Sequence, residues 1–178
     1  MIKDYKEIKP CDMLGNWIDG YAEKLAKELD FNLGDDIEKK IIVSLGGVIE
    51  EVSLDEWTSR DSLIVRGAND FKIVIESNTI LERKRFLIAH ELGHYFLHSK
   101  QGEIPMCVHR LGWNPIVEAE ASHFGLCLLM PRTKILEAYE RSRNSVKLAI
   151  ESCVYTSSVR KRMKMLNIDL ERKNYIKV

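Results

Sequence analysis

From residue 14 to 29 the apolar positions Leu14, Trp17, Ile18, Tyr21, Ala22, Leu25, Ala26 and Leu29 recur at intervals of three and four, the period of an amphipathic helix. A second helix is expected to start near Asp35 and Asp36, to bury Ile37, Ile41 and Leu45, and to stop at Gly46 and Gly47. The pattern then shortens. "GVIEEVSL", "SLIVRGAND" and "FKIVIES" are brief and rich in β-branched residues, and "GAND" supplies turn chemistry between the last two, so a small sheet is expected. From Thr79 the helical period returns and runs to about His98. Residues 99–113 have no period and hold Gly102, Pro105 and Gly112, which reads as a loop. Asn114 then offers a helix cap and Pro115 a first helical position, opening a helix that Pro131 must end or kink. Three further helical patterns follow, "TKILEAYERSR", "SVKLAIESC" and "SSVRKRMKML".

This order predicts an α+β fold: N-terminal helices, a small antiparallel or mixed sheet, a helix from Thr79 packed on it, and a C-terminal helical region. The 178 residues are expected to form a single domain, with 144–178 as a basic helical appendage of it. An apolar content of 45% is ample for a core.

The chemistry concentrates in "RFLIAHELGHYFLH". Residues four apart on an α-helix lie about 6 Å apart along the axis and about 40° apart around it, so His90 and His94 can reach one ion. Glu91 projects about 100° from His90, near enough to touch a water on that ion without replacing it. This is the geometry behind the HExxH signature. Alternatively, the three are surface residues that happen to align. Against that, Leu87, Ile88, Ala89, Leu92, Phe96 and Leu97 enclose the motif in apolar residues, and buried imidazoles and carboxylates need partners or a metal. Gly93 costs a helix roughly 1 kcal/mol relative to alanine, which a close neighbour would explain.

A catalytic zinc takes three protein ligands and leaves a fourth position to water. On a straight helix His98 lies about 12 Å along the axis from His90, so it falls outside the reach of the same ion and suits an outer role or solvent. The long metzincin form is excluded, because Leu97 and Lys100 stand where it needs glycine and histidine. The remaining candidates are Glu118, Glu120 and His123. Glu120 shares a face with Phe124 and Cys127, whereas Glu118 is about 160° away around the helix, so one of the two faces the metal.

Charge and cysteine usage narrow the setting. Basic and acidic residues balance at 27 each, which favours neither nucleic acid nor an acidic partner overall. Cys11, Cys107, Cys127 and Cys153 are far apart with no CxxC pair, as expected for reduced thiols. The N-terminal residues carry charge throughout and no stretch is long and apolar enough for a bilayer, so a cytoplasmic protein without membrane contact is expected. Cys107 and His109 are close enough to suggest a second metal position, or are ordinary loop residues.

"RFLIAHELGHYFLH", the later "EAEASHFGLCLLMP" and the distal "LAIESCVYTSSVRKRMKMLNI" resemble the ImmA/IrrE-type zinc metallopeptidases, from about Ile73 to about Ile168. The resemblance implies a gluzincin-like peptidase holding Zn2+ and acting on a protein substrate, in some members a repressor of a prophage, mobile element or stress response. It maps the metal ligands to His90, His94 and Glu120 and the catalytic base to Glu91. Where the family usually has asparagine or aspartate two positions after that glutamate, this chain has Ser122. Tyr95, His98, His123, Tyr139 and Tyr155 are all available to stabilise an oxyanion, and "FKIVIES" could be a sheet edge that receives an extended substrate or an ordinary structural strand.

A different class of function is suggested by the C-terminal residues. Positions 155–178 hold seven basic against two acidic residues, a local +5 that leaves about −5 on the rest. With "SVKLAIESC", a short "VYT" connector and "SSVRKRMKML", this outlines a helix-turn-helix, which would bring in DNA and a non-proteolytic binding role. The alternative is a basic helix with a solvated outer face, packed on the core through Val159, Met163 and Leu166.

Overall fold

The computed structural model describes residues 5–13, 15–109, 114–168 and 170. Leu14 and Gly112, both used in the sequence reading, lie outside the described residues. Helix α1 (Gly15–Glu28) buries Ile18, Ala22, Leu25 and Ala26, while Trp17 at the edge of the same stripe stays 57% exposed. The second expected helix is a single π-helical turn, Glu38–Ile42, with Ile37 and Ile41 buried. Asp36 Oδ1 accepts the amides of Glu38 and Lys39 at its start, and Gly46 leaves it at φ +68°.

Strands β1 (Gly47–Val52), β2 (Leu63–Gly67), β3 (Asp70–Glu76) and β4 (Met106–Val108) form one mixed sheet in the order β1-β3-β2-β4. Asn69, at φ 57° in the turn after β2, lets β3 fold back antiparallel on β2; β3 then pairs parallel with β1 on its other side. The strand "FKIVIES" is therefore internal, hydrogen-bonded on both edges, and cannot receive a substrate strand. Its burial explains why. Phe71, Ile73 and Ile75 are at most 1% exposed, and each such side chain contributes about 1.5–3 kcal/mol by leaving water. Two short elements escape the periodicity: β4, inside the stretch read as a loop, and α2 (Leu54–Ser59), which carries a Ser53–Glu56 capping box.

Helix α3 (Leu81–Gly93) continues into a π-helical turn, His94–His98, closed by the amide of Ser99 donating to the carbonyl of His94 at 3.0 Å. The turn docks on the sheet through Tyr95, whose ring lies 4.2 Å from that of Phe71. Helix α4 (Pro115–Leu129) begins where Asn114 Oδ1 accepts the amides of Ile116 and Val117, and α5 (Arg132–Ser142) follows Pro131. Asn144 caps α6 (Ser145–Ser152) in the same way, and α7 (Thr156–Met165) follows.

Helices α3 and α4 meet at glycines. A Cβ on Gly93 would lie 2.7 Å from the carbonyl oxygen of Ala121 and 2.8 Å from its Cα, and one on Gly125 would lie 3.0 Å from the backbone of Ala89 and His90. Gly93→Ala should gain about 1 kcal/mol of helix propensity but must push two backbones apart, which costs about 1–3 kcal/mol. A net loss of stability in urea unfolding is expected, and an unchanged midpoint would show that the contact yields.

Candidate metal centre

The α3–α4 contact brings three donor groups together. His90 Nε2 and His94 Nε2 face each other at 3.1 Å; Glu118 Oε2 lies 3.1 Å from the former and Glu118 Oε1 3.5 Å from the latter. An ion about 2.1 Å from each ligand of a tetrahedron needs donors roughly 3.4 Å apart, so these separations fit a small divalent cation. His90 and His94 come from successive turns of α3 and its π-helical extension, and Glu118 from the first turn of α4. Glu91, one residue along from His90, is 5% exposed and lies near enough to raise the pKa of His90.

Glu120, mapped to the ligand position from sequence, is not in this trio. Its carboxylate Oε2 accepts from His98 Nε2 at 3.0 Å and from the amide of Cys11 at 3.0 Å. The physical reason is helix phase: two residues rotate a side chain by about 200°, and the side of α4 that meets His90 and His94 is the side of Glu118. Glu120 is nonetheless buried, at 9%, and hydrogen bonds from His98 and the Cys11 amide satisfy its carboxylate.

Ser122 and His98 set the orientation of the two imidazoles. Ser122 Oγ lies 3.2 Å from His90 Nδ1, and His98 Nδ1 lies 3.2 Å from His94 Nδ1. If His90 Nε2 is to offer a lone pair to the centre, its Nδ1 carries the hydrogen and donates to Ser122. On the other branch Glu120, an acceptor only, takes the Nε2 hydrogen of His98; His98 Nδ1 then accepts from His94 Nδ1–H, and the lone pair of His94 Nε2 points inward. His98 thus lies behind His94 and Ser122 behind His90, each within hydrogen-bond reach of the ring Nδ1.

The electrostatics follow the same pattern. Burial, with His90 and His98 beside it, holds His94 well below the ordinary imidazole pKa, so it is neutral and able to coordinate. Burial also depresses His90, but Glu118 and Glu91 outweigh it and leave its pKa raised. Burial opposes ionisation of Glu120, yet His98 and the Cys11 amide hold its carboxyl below the usual value. The Cys11 thiol is pushed up to about 11, chiefly by burial.

Two clefts approach this region. One, of about 490 Å3, runs between Tyr5–Ile8 and the start of α4 and has Glu118 in its wall; the other, of about 850 Å3, is bounded by Cys11 and His98. Several residues considered from sequence are engaged elsewhere. Tyr95 Oη accepts from the amide of Asn69 and donates to the carbonyl of Gln101, and the ring of His123 fills the space above Gly15. Cys107 donates to Asp61, which also holds His109, so these two share a carboxylate. Cys11 escaped the sequence reading because no local pattern links it to residues 98 and 120.

The chain matches the model of the IrrE N-terminal-like domain, peptidase family M78, over residues 45–164, and it belongs to that family. No curated protein matches it. The M78 family is generally one of metallopeptidases, so membership implies a peptidase acting on a protein substrate. Among the described residues no helix is long and apolar enough to cross a membrane. The C-terminal helix pair does form as α6 and α7, but Arg162 in its basic stretch is fully buried, leaving Arg160, Lys161 and Lys164 exposed. Arg172, Lys173 and Lys177 lie outside the described residues.

Proposed function

We propose that the protein is a zinc-dependent endopeptidase in which His90, His94 and Glu118 hold the metal and Glu91 is the general base. The observation that carries this reading is the convergence of two imidazole nitrogens and a carboxylate at 3.1–3.5 Å. His90, His94 and Glu118 would hold a zinc ion there, which would supply Lewis acidity to a water and to the scissile carbonyl. Glu91 takes the proton of the attacking water and returns it to the leaving amine. Ser122, and His98 with Glu120, keep the two imidazoles in the tautomer that directs Nε2 inward. The cleft beside Glu118 seats an extended peptide against Tyr5–Ile8 and the start of α4. The substrate we infer is one intracellular regulator, a repressor of a phage or mobile element.

The test is elemental analysis of the purified protein, paired with incubation against a repressor encoded beside its gene. One zinc per chain and a cut that stops in chelator and returns with zinc are expected. Zinc far below one per chain, or cutting unaffected by chelator, overturns the proposal. The two glutamates separate in a zinc-competition titration. Glu118→Ala should weaken retention more than Glu120→Ala, whose loss is expected at about 10- to 100-fold, as for an outer partner of a ligating histidine. The reverse order would return the ligand role to Glu120.

A further inference from the structure

We propose that Cys11, His98 and Glu120 form a second cation site, selective for thiophilic divalent ions, whose occupancy opposes that of the first. The Cys11 sulfur, a ring nitrogen of His98 and a carboxylate oxygen of Glu120 all lie within 4.8 Å of one another, and His98 and Glu120 are buried. A thiolate, an imidazole and a carboxylate suit zinc, cobalt or cadmium and would leave a fourth position open. The larger cleft reaches both Cys11 and His98, which gives an ion an entry path.

The opposition follows from counting lone pairs, and it rests on the reading of His90 and His94 as ligands; the second site itself does not. Without a cation there, His98 carries its hydrogen on Nε2 and accepts from His94 at Nδ1, as derived above. An ion bound by His98 Nε2 needs that lone pair, so the hydrogen of neutral His98 moves to Nδ1. His94 Nδ1 must then accept, and the hydrogen of neutral His94 moves to Nε2, where it blocks the first centre. The two rings keep two hydrogens throughout. The only proton released is that of the Cys11 thiol, replaced by the cation. A second effect is mechanical. Cys11 sits on the segment 5–13 that borders both clefts, so an ion on its sulfur ties that segment to the π-helical turn.

The test is titration of the metal-free, full-length protein with Co2+, read by absorption. A near-ultraviolet thiolate-to-cobalt charge-transfer band is expected in the unaltered protein and absent in Cys11→Ser. In His90→Ala the band should reach several-fold higher amplitude per chain at saturating cobalt, because no cobalt is diverted to a first centre whose occupancy closes the second. The visible ligand-field bands of cobalt in Cys11→Ser report the first centre separately, so their loss counts against the proposed peptidase site alone. Alkylation of Cys11 by iodoacetamide, followed by mass spectrometry, should be slowed by Cd2+ and gives a readout that needs no variant. No charge-transfer band at saturating cobalt in either the unaltered protein or His90→Ala, a band that survives in Cys11→Ser, or alkylation indifferent to Cd2+ overturns the site. Equal amplitude at saturation in His90→Ala and the unaltered protein overturns the opposition.

Discussion

Glu91→Gln is expected to lower kcat/KM for hydrolysis by roughly 100- to 10,000-fold, the range that a positioned acid–base group supplies. Glutamine preserves the volume of a side chain that is 5% exposed, so packing along α3 changes little. It cannot accept the water proton. The proposed ligands His90, His94 and Glu118 are untouched, so zinc content and thermal unfolding should match the unaltered protein while cleavage falls. The measurement is a progress curve on the proposed repressor substrate beside elemental analysis of the same sample. An undiminished rate would end the general-base assignment, whereas a loss of zinc would move Glu91 into the ligand set.

Asp19→Ala should destabilise the protein by about 3–5 kcal/mol, because it leaves a buried guanidinium without its countercharge. The side chain of Arg162 is fully buried and donates to Asp19 Oδ1 at 2.7 Å, to the carbonyl of Met130 at 2.9 Å and to the sulfur of Cys127 at 3.2 Å. It therefore ties α7 to α1 and to the end of α4. For a chain of this size the loss corresponds to a fall in Tm of about 10 °C, readable by calorimetry. Pairing Asp19→Leu with Arg162→Met should recover part of the loss, since the damage comes from the unpaired charge. The pH dependence has a definite sign. Burial raises the pKa of Asp19, but Arg162 outweighs it and leaves the carboxyl below its ordinary value. The stability the pair contributes is thus present above the unfolded pKa of aspartate and is lost as pH falls through the lower, folded one.

What the sequence disclosed depended on the range of the cause. Asn114 with Pro115 marks a helix start because the cap and the fixed φ act within one turn, and both are realised in α4. His90 and His94 converge because their separation is a property of one helix. The choice between Glu118 and Glu120 needed the rotation of α4 about its own axis. That helix gives no phase, since Val117, Ala121, Phe124, Leu126, Cys127, Leu128 and Leu129 bury nearly its whole circumference and its apolar residues mark no single side. The parallel pairing of β1 with β3 was equally hidden, because it depends on β3 inserting between two strands that precede it. The capping box of α2 was legible in "SLDE" but lay at the tail of a strand-like run.

Backbone against backbone at Gly93 and Gly125 has a consequence for how this protein can change. His90, Glu91 and His94 ride one rod, and Glu118, Glu120 and Ser122 ride the other. The gap between the rods is set by main-chain atoms in touch, which no rotamer shift can widen or close. Drift in the outlying helices or the sheet can then accumulate with little effect on the donor spacing, while a methyl group at either glycine alters it directly. The donor spacing is thus insulated from change at the periphery and exposed to it at that one seam.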